Sequence, residues 1–300
     1  VGAVKRAVIH CLAHRPDLVP KDLMLKHLDL EDGEGIPLFH HIAKEGGQCS
    51  GVERLPPEYR TPEAVARPCK ATGESLLYHA SWYGLRGIPR EALTRENLSA
   101  RSHGINRGRT PFHNLAAKGH LGMVPASEMD EASFLLLDSE RRNVLHEAAN
   151  HSHLDKVPAH CMTPRAMSAV NTYGHNPLHY AAERGQLHFV PESAITASAL
   201  LRQAGAHASS VLHTAARHGH LYQLPAKFLT VANLLLGDCH GVTPLGLALE
   251  HAPGQLPPLD PELLPERFRD HPAIRSRWEE ELRARKPAGP PPPDAALQSI

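Results

Sequence analysis

Aromatic residues are scarce in this 300-residue chain, at 5% of the total, and its 5 cysteines are odd in number and never spaced as CxxC. With so few rings, a core has to be filled by small aliphatic side chains, for which a hydrophobic content of 41% is sufficient. Cys11, Cys49, Cys69, Cys161 and Cys239 are scattered, which excludes a disulfide framework or a thiolate zinc site and fits reduced thiols. Net charge is missing as well: Lys+Arg and Asp+Glu both number 32. A neutral chain carries no global electrostatic footprint for nucleic acid or an anionic membrane. No apolar run approaches the roughly 18 residues of a membrane span, and the first residues lack the long apolar stretch of a secretory signal.

What the chain has in excess is proline, 27 residues, and histidine, 23 residues. Both are periodic. Phe112-His113, Leu145-His146, Leu178-His179 and Leu212-His213 are 33, 33 and 34 residues apart, with Leu245 a further 33 on. Pro125, Pro158, Pro191 and Pro225 keep the same steps independently. Weaker copies lie upstream, at Phe39-His40 with Pro56 and at Leu77-Tyr78-His79 with Pro89. A fixed step of this size marks a repeat architecture, and about eight units fit the chain.

One unit, Asn176 to Pro191, shows what each is built to be. Asn176 suits an N-cap and Pro177 the first helical position, where no N–H is needed. Leu178, Ala181 and Ala182 share a helical face, and paired alanines let a neighbouring helix approach closely. Gly185 ends the helix in a left-handed cap; Gly46, Gly84, Gly119 and Gly219 hold the same place, with Ser152 and Ala252 as departures. Such a hairpin cannot bury its own apolar face, but stacked neighbours can.

The recurring T-P-L-H-x-A-A-x-x-G-H-L pattern resembles the ankyrin repeat, clearly from about residue 36 to 252. The resemblance implies an all-α, ankyrin-type helical solenoid of about eight repeats with short hairpin-like fingers. One departure is systematic. A proline follows the helix-ending glycine closely, so the second helix is expected to be broken, shortened or shifted. Residues 1–35 read as a degenerate N-terminal capping repeat, 36–272 as the array, 273–286 as a C-terminal capping helix with Trp278 and Leu282 on its covering face, and 287–300 as a disordered proline-rich tail. His40, His113, His146, His179 and His213 match the family's structural histidine, whose ring bonds between repeats. They are expected to be buried and neutral.

Catalytic motifs are not found: no G-x-S-x-G, H-E-x-x-H or G-x-x-x-x-G-K occurs. His10 with His14, His151 with His153 and His218 with His220 are close pairs without carboxylate or thiolate companions. The expectation is therefore no enzyme, no cofactor and no metal. By resemblance, the function is a scaffold that binds another protein on its concave face, as a cytoplasmic monomer or one delivered into a host cytosol. The alternative is a targeting arm for a catalytic domain outside this chain. The residues expected on that face are Trp82, Tyr83, Lys118, His151, Glu183, Arg184, Arg217 and His218 before the helix ends, with Asn114, Glu147 and Tyr180 after the slot histidine. Finger tips add Arg107, Arg109, Arg141, Arg142, Tyr173, His175 and His240. Large aromatics and arginines dominate binding hot spots.

Overall fold

The computed structural model describes residues 27–44, 51–103 and 108–285. Among them the chain is helical, with two isolated bridges, Glu31 to Pro37 and Ala204 to Ser209, and no strand. No helix among them is long and apolar enough to cross a membrane. In chain order the first α-helices are α1 (Leu38–Lys44), α2 (Pro62–Ala66), α3 (Leu76–Ala80), α4 (Arg95–Leu98), α5 (Pro111–Lys118), α6 (Glu131–Phe134) and α7 (Val144–Asn150). They continue as α8 (Pro164–Ser168), α9 (Pro177–Glu183), α10 (Ala197–Leu201), α11 (Val211–Arg217), α12 (Val231–Leu234), α13 (Pro244–His251), α14 (Glu266–Arg269) and α15 (Pro272–Arg285).

Two classes of helix alternate up to α13: the odd-numbered, inner helices and the even-numbered ones, which with the 3-10 turns before them form the second limb of each unit. From α3 to α13 the odd helices follow the N-cap residues Ser75, Thr110, Asn143, Asn176, Ser210 and Thr243. Ser75, Asn143, Asn176 and Thr243 accept a first-turn backbone N–H with their side chains, and the Thr110 and Ser210 hydroxyls meet Nδ1 of the histidine three positions on. Each from α3 to α11 packs on the next odd helix along the chain, through faces carrying residues such as Ala148, Ala149, Ala181 and Ala182, which are fully buried. The even helices are short, and from α2 to α12 each begins at a Thr or Asp cap: Thr61, Thr94, Asp130, Thr163, Thr196 and Thr230. Those caps step by 33, 36, 33, 33 and 34 residues.

The prolines explain why the second limb is fragmented. After α5, α7, α9 and α11 comes a single 3-10 turn, at Leu121–Met123, Leu154–Lys156, Leu187–Phe189 and Leu221–Gln223. Pro125, Pro158, Pro191 and Pro225 then stand at the N-caps of second 3-10 turns. A proline has no N–H and clashes with the preceding turn, so a continuous helix cannot form through it.

Each unit ends in a finger, closed by a backbone bond between its ends: Asp138 N to Arg142 O at 2.9 Å, Asn171 N to His175 O at 2.9 Å and Asp238 N to Val242 O at 2.8 Å. The opening Asp or Asn also accepts two backbone N–H groups within its own loop, an Asx turn that sets the finger. Neighbouring tips are joined in turn, Thr172 N to Glu140 O at 3.0 Å and Gly205 N to Tyr173 O at 3.0 Å. The extra residue of the 34-residue step lies in the finger Ala204–Ser209, where the ends are five apart instead of four.

Two buried apolar clusters run along the units, one from Leu28 to Ala92 and the other from Leu77 to Ile274, and Ile88 packs against both. At the C-terminal end α15 anchors through Ile274, 1% exposed, and Arg277 Nε donates to Leu256 O at 3.2 Å. Leu282, expected to help cover the last unit, is 43% exposed. The helix has turned it to the solvent side, and Ile274 is the contact instead.

Candidate interaction surface

The slot histidines are tied into two units at once. In His113, His146 and His213, Nδ1 accepts the backbone N–H of the N-cap residue three positions earlier, at 3.0–3.2 Å. Nε2 of the same rings faces a carbonyl of the next finger: Arg142 O at 3.2 Å, His175 O at 3.0 Å and Val242 O at 3.0 Å. A carbonyl only accepts, so Nε2 carries the proton and the neutral ring leaves Nδ1 as acceptor. Burial pushes His40, His113 and His146 down to about 4 and His179 to about 3, and lowers His213 as well. Nε2 of His179 has no hydrogen-bond partner; the finger opposite it is the one with the extra residue.

Three residues expected to face a partner are instead buried between units. Asn114 is 0% exposed, Glu147 2% and Arg109 8%. Arg109 donates to Asn114 Oδ1 and to Glu147 Oε2, both at 2.7 Å. Asn114 Nδ2 donates to Ser81 Oγ at 3.0 Å, at the C-cap of α3 in the preceding unit. Arg142 adds an ion pair to Glu147 at 3.2 Å and one to Asp138 at 2.9 Å. Burial raises the Glu147 carboxyl, but the Arg109 and Arg142 guanidiniums outweigh it and hold the group below the ordinary carboxylate range. The reason for the correction is positional. The residue after the slot histidine points along the stack, into the seam with the neighbouring helix, and a polar pair there bonds helix to helix. Tyr180 behaves similarly: half-buried, its hydroxyl accepts from Asn171 Nδ2 at 2.9 Å.

Trp82 and Tyr83 are also half-buried. Arg109 and Lys118 lie over the Trp82 ring at 5.1 and 5.5 Å, and Tyr83 Oη donates to Lys44 O at 3.2 Å. The two rings line a cavity of about 220 Å³ with Glu74, Tyr78 and His79. Exposed along the ends of the inner helices are Lys118, His151, Arg184, Arg217 and His218, with Glu183 half-exposed among them. On the fingers Arg141 and His240 are exposed, Tyr173 is 65% exposed, and Arg142 and His175 are half-buried. His207 and His240, on adjacent tips, meet at 3.3 Å. Arg107, like His10, His14, Cys11, Cys49 and the tail from 287, lies outside the described residues.

A further histidine set carries a role that the sequence reading does not assign. The rings of His120, His153 and His220 lie over the helix-ending Gly84, Gly119 and Gly185 of the preceding unit. A Cβ on Gly119 or Gly185 would come within 2.8 Å of the ring. His220 Nδ1 also bonds Ala182 O, a C-terminal carbonyl of that helix, at 2.7 Å. Where the glycine is replaced by Ser152, the following unit has Gln186, not histidine, whose Oε1 accepts from Leu154 N at 3.4 Å.

Among the described residues no group of three or more His, Cys, Asp or Glu is arranged to hold a metal ion. Cys69 and Cys161 are buried free thiols and Cys239 an exposed one. No protein-family model matches the chain, and no curated protein matches its sequence.

Proposed function

We propose that the chain is an ankyrin-type solenoid that acts as a non-catalytic scaffold, binding a partner protein along its concave face. The observation that supports this most is the division of labour within the unit. Caps, slot histidines, glycines and alanines are spent on stacking, while the ends of the inner helices and the finger tips vary from unit to unit and most of their side chains stay exposed. A frame held by hydrogen bonds at every unit presents those side chains with little ordering cost on binding. Tyr173, Arg184, Arg217, His218 and His240 are the residues through which such a face would make contact.

The test is co-purification from cell extract, comparing wild type with a Tyr173→Ala, Arg184→Ala, Arg217→Ala variant. A Glu192→Ala, Lys227→Ala variant, which removes an exposed ion pair on the second limb, is the control. Partners lost from the first variant and kept by the second support the reading. Identical partner sets from all three proteins overturn it.

A further inference from the structure

Five side chains occupy one place in five successive units: Lys118, His151, Arg184, His218 and His251. Each is the last residue of an inner helix or one of the first two after it, each is exposed, and the steps are 33, 33, 34 and 33 residues. Positive charge at a helix C-terminus is favoured by the helix dipole. That preference accounts for the sign, and it leaves open why three of the five are histidines.

The nearby acids do not neutralise the row. Glu147, 3.8 Å from His151, is shared with Arg109 and Arg142; Glu183 is 3.6 Å from Arg184 and Glu250 3.9 Å from His251, both at the surface. The groups felt by His151 are Glu147, Arg109, Lys118 and His153. Those felt by His218 are Glu183, His220, Arg217 and Arg184. Lys118 thus opposes ionisation of His151, and Arg184 that of His218, so like charges repel along the row from unit to unit. An anionic ligand would relieve that repulsion.

The spacing selects the ligand further. Packed helices lie about 8–10 Å apart, and an extended chain advances about 3.3 Å per residue. Three residues of an extended peptide therefore span one unit. We propose that this edge binds an extended acidic segment of a partner protein, one carboxylate at every third residue, and that protonation of His151 and His218 tightens the complex. The proposal rests on the protein-binding reading above and names the chemistry of its partner. Its sign follows from linkage. Burial holds His151 and His218 below their ordinary range, with Glu147 and Glu183 acting against it and the neighbouring cations adding to it, so both are neutral in mildly alkaline solution. A bound carboxylate favours the charged ring, so the complex takes up protons and affinity rises as pH falls.

The experiment is fluorescence anisotropy with labelled Asp-Ser-Gly repeat peptides, compared with isomers that carry the same aspartates in one block or at every second position. Each is measured at about pH 8 and about pH 6, where aspartate stays ionised, with circular dichroism confirming the fold. The every-third peptide is expected to bind tightest, and about fivefold tighter at the lower pH. His151→Gln, His218→Gln should remove most of the pH effect, and Lys118→Gln, Arg184→Gln should weaken binding at both pH values. Equal binding of the three isomers, no binding, or equal competition by a single-stranded oligonucleotide overturns the inference. A register-blind result with partner capture still sensitive to the concave-face variant overturns this inference alone. Insensitive capture overturns the scaffold reading whatever the peptides do.

Discussion

The ring of His220 rests on the α-carbon of Gly185, one unit earlier in the stack, so closely that an added Cβ would sit 2.8 Å from Nε2. Gly185 has φ of +69°, and the same glycine thus serves two ends. Its left-handed backbone turns the chain out of α9, and its missing side chain makes room for the next unit. Gly185→Ala is expected to cost about 1–2 kcal/mol. Adding His220→Gln, after the pattern of Ser152 with Gln186, should return part of that loss. Urea denaturation of both single variants and the double variant checks it; strict additivity would show that the ring and the cap are independent.

Ser152 stands in that row of caps in place of glycine and keeps the left-handed backbone, at φ of +65°. Ser152→Gly should stabilise the protein by about 0.5–1 kcal/mol, because the strain of a left-handed L-residue exceeds the entropy cost of glycine. A thermal melt that moved downward would contradict this.

Glu147 is the acceptor for two guanidiniums in a seam closed to water. Glu147→Ala leaves Arg109 buried without its carboxylate and is expected to cost about 3–5 kcal/mol. Lys118→Ala, on the exposed edge, should change stability by no more than about 0.5 kcal/mol. Chemical denaturation of the two variants separates a seam residue from a surface one.

The slot histidines predict the pH dependence of folding. Unfolded rings titrate near 6.5, while His113 and His146 in the fold are held at about 4. Between those values the unfolded chain binds more protons, so stability is fully present above about pH 6.5 and is lost as pH falls toward 4. Each such ring accounts for roughly 3 kcal/mol at full effect. Acid unfolding should therefore be steep and take up several protons. NMR titration should find the His146 ring neutral at pH values where surface histidines are charged; a ring titrating near 6.5 would refute the linkage.

The all-helical class and the unit length were legible because proline, glycine and N-cap residues act locally, and their spacing survives any tertiary context. The broken second limb was legible for the same reason: Pro125 and its counterparts forbid a continuous helix wherever they fall. Burial was harder to read. Arg109, Asn114 and Glu147 look like surface residues by type, and their burial depends on neighbours 33 to 38 positions away that supply matching donors and acceptors. The Asx turns at Asp138, Asn171 and Asp238 were within reach, since an Asp or Asn recurs at the head of those fingers. The pairing of His120, His153 and His220 with glycines of the preceding unit was also within reach, through the joint change to Ser152 and Gln186. Both signals lie between rows of the repeat, not within one row, which is why a scan along single units passes over them.

The proline-punctuated limb has a consequence for how the chain comes together. Its segments are single 3-10 turns and helices of four or five residues, far shorter than the roughly 12–15 residues an isolated helix needs to persist in water. None of them can serve as a seed. Order has to start in a pair of adjoining units and spread outward by accretion, so a chain cut between units should unravel from the raw end until it reaches a block large enough to hold itself.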